Sequence, residues 1–99
     1  MRELSVTDVA ALDSPVILDV RELDEYRAVR APGVLHIPMG EIMERVDEIP
    51  VDETVYVICA VGGRSARVAQ YLESRGIDAV NVEGGTIAWQ QAGLPVERG

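Results

Sequence analysis

Two apolar runs, Pro15-Val16-Ile17-Leu18-Asp19-Val20 and Thr54-Val55-Tyr56-Val57-Ile58-Cys59, constrain this chain more than any other feature. Both are short, rich in β-branched residues and nearly free of polar interruptions, the pattern of strands buried on both faces. Such strands need a covering layer on each side, and helices between consecutive strands supply it. Weaker strand signals lie around Leu4 to Val6, Val34 to Ile37 and Ala79 to Val82. Helices are expected from Val9 to Leu12 with Thr7 as N-cap, from Glu22 to Val29, from about Glu41 to Val46, from Ser65 to Arg75 and from Thr86 to Ala92. The clearest is the helix from Ser65, where Val68, Ala69 and Leu72 form an apolar stripe and Gly76 supplies the stop. Gly93 and Pro95 end the last helix, leaving Val96 to Gly99 as a poorly ordered tail. The alternation predicts a parallel sheet covered by helices.

At 99 residues the chain is expected to form one domain, residues 1–99, with all its chemistry on one module. No stretch approaches the roughly 20 apolar residues of a membrane span. The opening Met1-Arg2-Glu3-Leu4-Ser5 lacks the layout of a signal peptide, so a cytoplasmic location is expected. A net charge of −8 argues against nucleic acid and anionic membrane as partners. All nine basic residues are arginines, so an arginine beside a Gly-rich loop is informative. One cysteine and one histidine exclude an internal disulfide and a Cys-based zinc site. No apolar surface stripe is left over, so a monomer is expected.

The lone cysteine stands where the strongest strand hands over to the strongest helix, in Cys59-Ala60-Val61-Gly62-Gly63-Arg64-Ser65. In open α/β sheets ligands bind at such strand ends. A helix N-terminus offers unpaired N–H groups and partial positive charge, both of which stabilise a thiolate and lower the pKa of Cys59. Gly62 and Gly63 are expected to take positive φ and turn the loop amides inward as a nest. Arg64 is placed to add charge-assisted hydrogen bonds to a bound oxyanion, and Ser65 to cap the helix. The competing reading is that Cys59 only ends a buried strand.

Cys59-x-x-Gly62-x-Arg64-Ser65 resembles the active loop of rhodanese-like sulfurtransferases. Leu18-Asp19-Val20-Arg21 with Glu25-Tyr26, Pro32-Gly33-Val34-Leu35-His36-Ile37-Pro38 and Gly84-Gly85-x-x-x-Trp89-x-x-x-Gly93-x-Pro95 resemble further signatures of that family, in order along nearly the whole chain. The resemblance implies a three-layer α/β/α fold with a five-stranded parallel sheet and no metal or organic cofactor. It also implies a Cys59 persulfide, loaded by thiosulfate, polysulfide or a similar small donor and unloaded by a thiol, cyanide or a protein acceptor. Amides from about Ala60 through Ser65, Val61 included, would stabilise thiolate and persulfide. Phosphatases and arsenate reductases of this topology carry a loop one residue longer than Cys59 through Arg64, and silent binding modules commonly lose the cysteine or the glycines. Thiosulfate-using relatives often carry a basic residue just after the cysteine, where this chain has Ala60 and Val61.

Asp19 and Arg21 are expected at the same edge of the sheet as Cys59. Asp19 could orient the loop by accepting its amides, and Arg21 either lines the site or pairs with Glu25. Trp89 is expected to anchor the last helix, His36 to pack in its strand, and Glu41, Glu44, Asp47, Glu48, Asp52 and Glu53 to form a solvated face.

Overall fold

The computed structural model describes residues 1–99. The strands are β1 (Arg2–Ser5), β2 (Val16–Asp19), β3 (Leu35–His36), β4 (Val55–Ile58) and β5 (Ala79–Glu83). Between and after them run α1 (Val6–Ala10), α2 (Leu23–Ala28), α3 (Ile42–Arg45), α4 (Gly63–Ser74) and α5 (Gly85–Gln91). The strands form one five-stranded sheet in the order β1-β5-β4-β2-β3, every pair parallel. This is the expected α/β architecture, with β4 at the centre.

Side-chain alternation along the central strands divides the core between the faces of the sheet. Leu18, Val20, Val55, Val57 and Cys59 belong to one cluster, which α3 and α4 close with Ile42, Val68, Ala69 and Leu72. Ile17, Ile58 and Val82 belong to the other, closed by Val6 and Val9 of α1 and Trp89 of α5. Trp89 is the expected anchor, and its Nε1 donates to the Pro95 carbonyl at 2.8 Å, fixing the chain beyond α5. That clamp helps account for a departure at the C-terminus. Glu97 exchanges backbone hydrogen bonds with Arg30 at 2.9 and 2.8 Å, and the Gly99 amide donates to the Arg27 carbonyl at 2.7 Å. The segment expected to be loose is therefore paired with the last turn of α2 and the chain just after it.

Two helix starts also differ. Ser5, not Thr7, caps α1, because its extended backbone lets Oγ accept from the Asp8 amide at 3.2 Å. α4 begins at Gly63, with Gly62 at φ +111° as its N-cap, which puts Ser65 inside the first turn and removes it from the capping role. The helix expected over Glu41 to Val46 is α only from Ile42 to Arg45, flanked by 3-10 turns at Met39–Glu41 and Val46–Glu48. Arg45 ties Glu41 and Glu48 together there at 2.9 and 2.8 Å, so part of the solvated acidic face is paired.

The chain leaves β2 toward β3 on one side and leaves β4 toward β5 on the other. Connections diverging from neighbouring parallel strands open a crevice at their C-terminal ends. Cys59 follows β4 at that place.

Candidate active site

Cys59 continues the inward alternation of β4 and is 1% exposed. Its Sγ lies 3.1 Å from the Gly62 amide, which donates to it, and 3.2 Å from Ser65 Oγ. The positive φ of Gly62 turns that amide back toward the strand end. Gly63 adopts no positive φ, so one glycine of the pair, not both, makes the turn. Burial works to raise the pKa of the thiol. The Ser65 hydroxyl and the amides of Ser65, Gly62 and Val61 together outweigh it and hold the pKa below the usual thiol value.

The opposite side of the loop is held by α5. The Thr86 amide and Oγ1 donate to the Cys59 carbonyl at 2.9 and 3.2 Å, and the Ile87 amide donates to the Ala60 carbonyl at 3.1 Å. First-turn amides of one helix thus engage the loop's carbonyls while the start of another supplies donors to its sulfur. The backbones meet so closely that a Cβ on Gly85 would stand 2.4 Å from the Cys59 carbonyl oxygen. That approach is the physical reason for Gly85, whereas at Gly84, with φ +79°, a Cβ would meet the Ala88 side chain of α5 at 2.6 Å.

Arg64 does not point into a free oxyanion site. Its guanidinium grips Glu25 of α2 with two parallel bonds of 2.8 and 2.9 Å. This contact holds the Glu25 carboxyl down to about 2, with the Glu22 amide adding to it against a smaller upward push from burial. Arg64 is held protonated above its ordinary value chiefly by the same bond, and the nearby charge of Cys59 adds to it. The pair brings a positive and a negative group to the loop together.

Asp19 and Arg21 depart from expectation in a related way. Arg21 pairs with Asp19, not Glu25, through contacts of 2.9 to 3.2 Å, and its Nη2 also donates to the Val29 carbonyl at 2.7 Å. Asp19 accepts the Arg21 amide at 3.0 Å and no amide of the Cys59 loop. The link between the two strands here is instead the Val20 amide donating to the Ile58 carbonyl at 3.1 Å. Both side chains are almost fully buried, and a buried arginine requires such a fork of acceptors. The pair fastens the β2 end to the chain after α2. His36 does more than pack, since its Nε2 lies 2.8 Å from the Arg21 carbonyl and its ring stacks on Tyr26 at 4.1 Å.

The structure therefore gathers Cys59, Ala60, Val61, Gly62, Gly63, Arg64 and Ser65 into one cradle, with Asp19 and Arg21 as a buttress beside it. Glu25, Asn81, Gly85 and Thr86 belong to the same constellation and were not assigned these roles from sequence. Asn81 carried a signal, a polar residue inside the run Ala79-Val80-Asn81-Val82. Thr86 carried none, because its contact to Cys59 joins residues 27 positions apart. No group of three or more His, Cys, Asp or Glu converges to hold a metal, and no helix is long and apolar enough to cross a membrane.

A parallel α/β sheet with a thiol of lowered pKa, cradled by amides at a switch point, defines a class of cysteine-centred anion sites. Residues 6–92 match the model of the rhodanese-like domain, and the chain belongs to that family. It is 36% identical over 91 residues to the thiosulfate sulfurtransferase GlpE of Actinobacillus succinogenes, covering 91% of this chain and 82% of the relative. It is 42% identical over 74 residues to the putative sulfur carrier protein YrkF of Bacillus subtilis, covering 74% of this chain but only 40% of that longer protein. The rhodanese-related protein of Thermoplasma volcanium superposes with a TM-score of 0.93 at 33% identity, covering 98% of each chain.

Proposed function

We propose that this protein is a sulfurtransferase that carries sulfane sulfur as a persulfide on Cys59. The observation that carries the reading is the Cys59 thiol itself, held below its usual pKa at the end of β4 with the Gly62 amide donating to it at 3.1 Å. The thiolate attacks the outer sulfur of thiosulfate, a polysulfide or a similar donor. A new S–S bond forms, the donor's S–S bond breaks, and sulfite or the shortened polysulfide leaves with the electron pair. The terminal sulfur then lies among the amides of Ala60 to Ser65, which stabilise its charge as an oxyanion hole does. A thiolate, cyanide or a protein acceptor attacks that sulfur and returns Cys59 as thiolate. Near-complete burial of Cys59 favours a donor that presents a small terminal sulfur end-on.

Two features weigh against an oxyanion hydrolase. The loop from Cys59 through Arg64 is one residue shorter than the phosphatase type, and Arg64 already spends its fork on Glu25. Mass spectrometry after incubation with thiosulfate, and separately with polysulfide or 3-mercaptopyruvate, tests the reading. The expected product is one added sulfur, removed by reductant and by cyanide, on the wild type and not on Cys59→Ser. A folded wild type that no donor loads would overturn it.

A further inference from the structure

Strand β5 buries one polar side chain in an otherwise apolar run: Asn81 is 2% exposed. Its Nδ2 donates to Glu3 Oε2 on β1 at 2.9 Å and to the Gly62 carbonyl in the Cys59 loop at 3.2 Å. An ionised carboxylate and a carbonyl only accept hydrogen bonds, so the NH2 end of the amide must face them. The amide oxygen therefore faces Ser65, whose Oγ is 2.5 Å from Asn81 Oδ1 and 3.2 Å from Cys59 Sγ.

A hydroxyl has one hydrogen to give. Asn81 Oδ1 has no donor other than Ser65, so the short contact between them takes that hydrogen and leaves a lone pair of Ser65 turned toward sulfur. The sulfur then meets Ser65 as an S–H donor, which is the neutral thiol. Forming the thiolate with Ser65 as a donor requires the hydroxyl to swing from Asn81 to sulfur, and Asn81 Oδ1 loses its partner in a buried site. The Gly62 amide donates to sulfur whichever way Ser65 turns. Ser65 is the donor that switches.

We propose that Asn81 is a positioning residue that competes with Cys59 for the Ser65 hydrogen, held in the competing orientation by Glu3, and so sets the pH at which the nucleophile forms. The network runs from an exposed carboxylate on edge strand β1 to the sulfur just past the end of central strand β4. The other charged groups at the loop are committed elsewhere: Arg64 of α4 to Glu25 of α2, with Glu22 beside them, and Arg21 to Asp19 at the end of β2. Once Cys59 carries sulfur, Sγ has neither proton nor full charge. Ser65 then returns to Asn81, and the loop amides turn to the terminal sulfur. That last step rests on the persulfide reading; the competition for the hydrogen does not.

The test titrates Cys59 by ultraviolet thiolate absorbance and by the pH dependence of iodoacetamide alkylation in the wild type, Asn81→Leu, Asn81→Ala and Glu3→Gln. Removing the Asn81 oxygen frees Ser65 for sulfur, so the midpoint falls and alkylation below the wild-type midpoint accelerates about tenfold, the scale of one hydrogen bond to a charged group. In a Ser65→Ala background the same Asn81 substitutions leave the midpoint unmoved, which a general disturbance of the loop would not do. Glu3→Gln, at an exposed position, shifts the midpoint in the same direction by a smaller factor, and if the Asn81 variants do not fold it decides the matter by losing that shift in the Ser65→Ala background, where the removed charge alone would still act. An unchanged or raised midpoint in the folded variants, or an equal shift without Ser65, overturns the proposal. The titration needs no donor. A shifted midpoint without sulfur loading sinks the persulfide reading alone, and loading with an unshifted midpoint sinks this inference alone.

Discussion

Gly85→Ala places a methyl group where the start of α5 touches the Cys59 loop. The added carbon would meet the Cys59 carbonyl oxygen at 2.4 Å and the Ala60 carbonyl oxygen at 2.5 Å, both in backbone that no rotamer change can move aside. Relief requires the loop and α5 to separate, which breaks the bonds from the Thr86 and Ile87 amides to those carbonyls. Each such bond is worth about 1 kcal/mol, and a left-handed alanine costs a further 1 kcal/mol or roughly so, because Gly85 sits at φ +60°. The expected loss is about 3 kcal/mol, or about 2 M in urea midpoint for a slope of about 1.5 kcal/mol/M. The single tryptophan, buried Trp89 of α5, reports the transition by fluorescence. Gly63→Ala is the control, since a methyl group there meets nothing within 4 Å and φ is not positive. It should be neutral or stabilise the helix by up to about 1 kcal/mol. A Gly85→Ala loss below about 1 kcal/mol, or an equal loss in Gly63→Ala, would refute the close-approach reasoning.

The Glu25 carboxyl titrates at about 2 when folded against 4.5 in an unperturbed chain, so the Arg64 contact contributes stability above about pH 4.5 that is lost as the pH falls toward 2. Arg64→Ala should flatten that acid limb in urea titrations, and parallel limbs for the two proteins would show that the pair contributes nothing. Arg21→Leu strands the fully buried Asp19 carboxylate and should cost about 3 to 5 kcal/mol, whereas Asp19→Leu with Arg21→Leu should cost far less. Additive losses in that double-mutant cycle would mean that the two side chains act separately.

The strand runs of β2 and β4 were legible because burial on both faces leaves an uninterrupted β-branched signal, and the start of α4 was legible within two residues from the glycines before it. The position of Cys59 between the two was legible for the same reason. Helix caps were read less well: Thr7 for Ser5 and Ser65 for Gly62 are errors of one turn or less, and a cap depends on where the backbone leaves the extended region. The Val96–Gly99 tail failed for a different reason, since its partner is the last turn of α2 and the chain just after it, about 70 positions away.

What the sequence by itself determined is the sheet, its central strands and a cysteine between the end of a central strand and the mouth of a helix, because these depend on local pattern and on the geometry of consecutive elements. What only the tertiary structure decided is which polar group meets which. Arg64 went to Glu25, Arg21 to Asp19 and Ser65 to Asn81, each choice set by side chains that distant elements bring within 3.2 Å or by the depth at which a charge is buried. Buried polar groups must all find partners at once, and that matching is fixed by the packed whole, not by any stretch of chain.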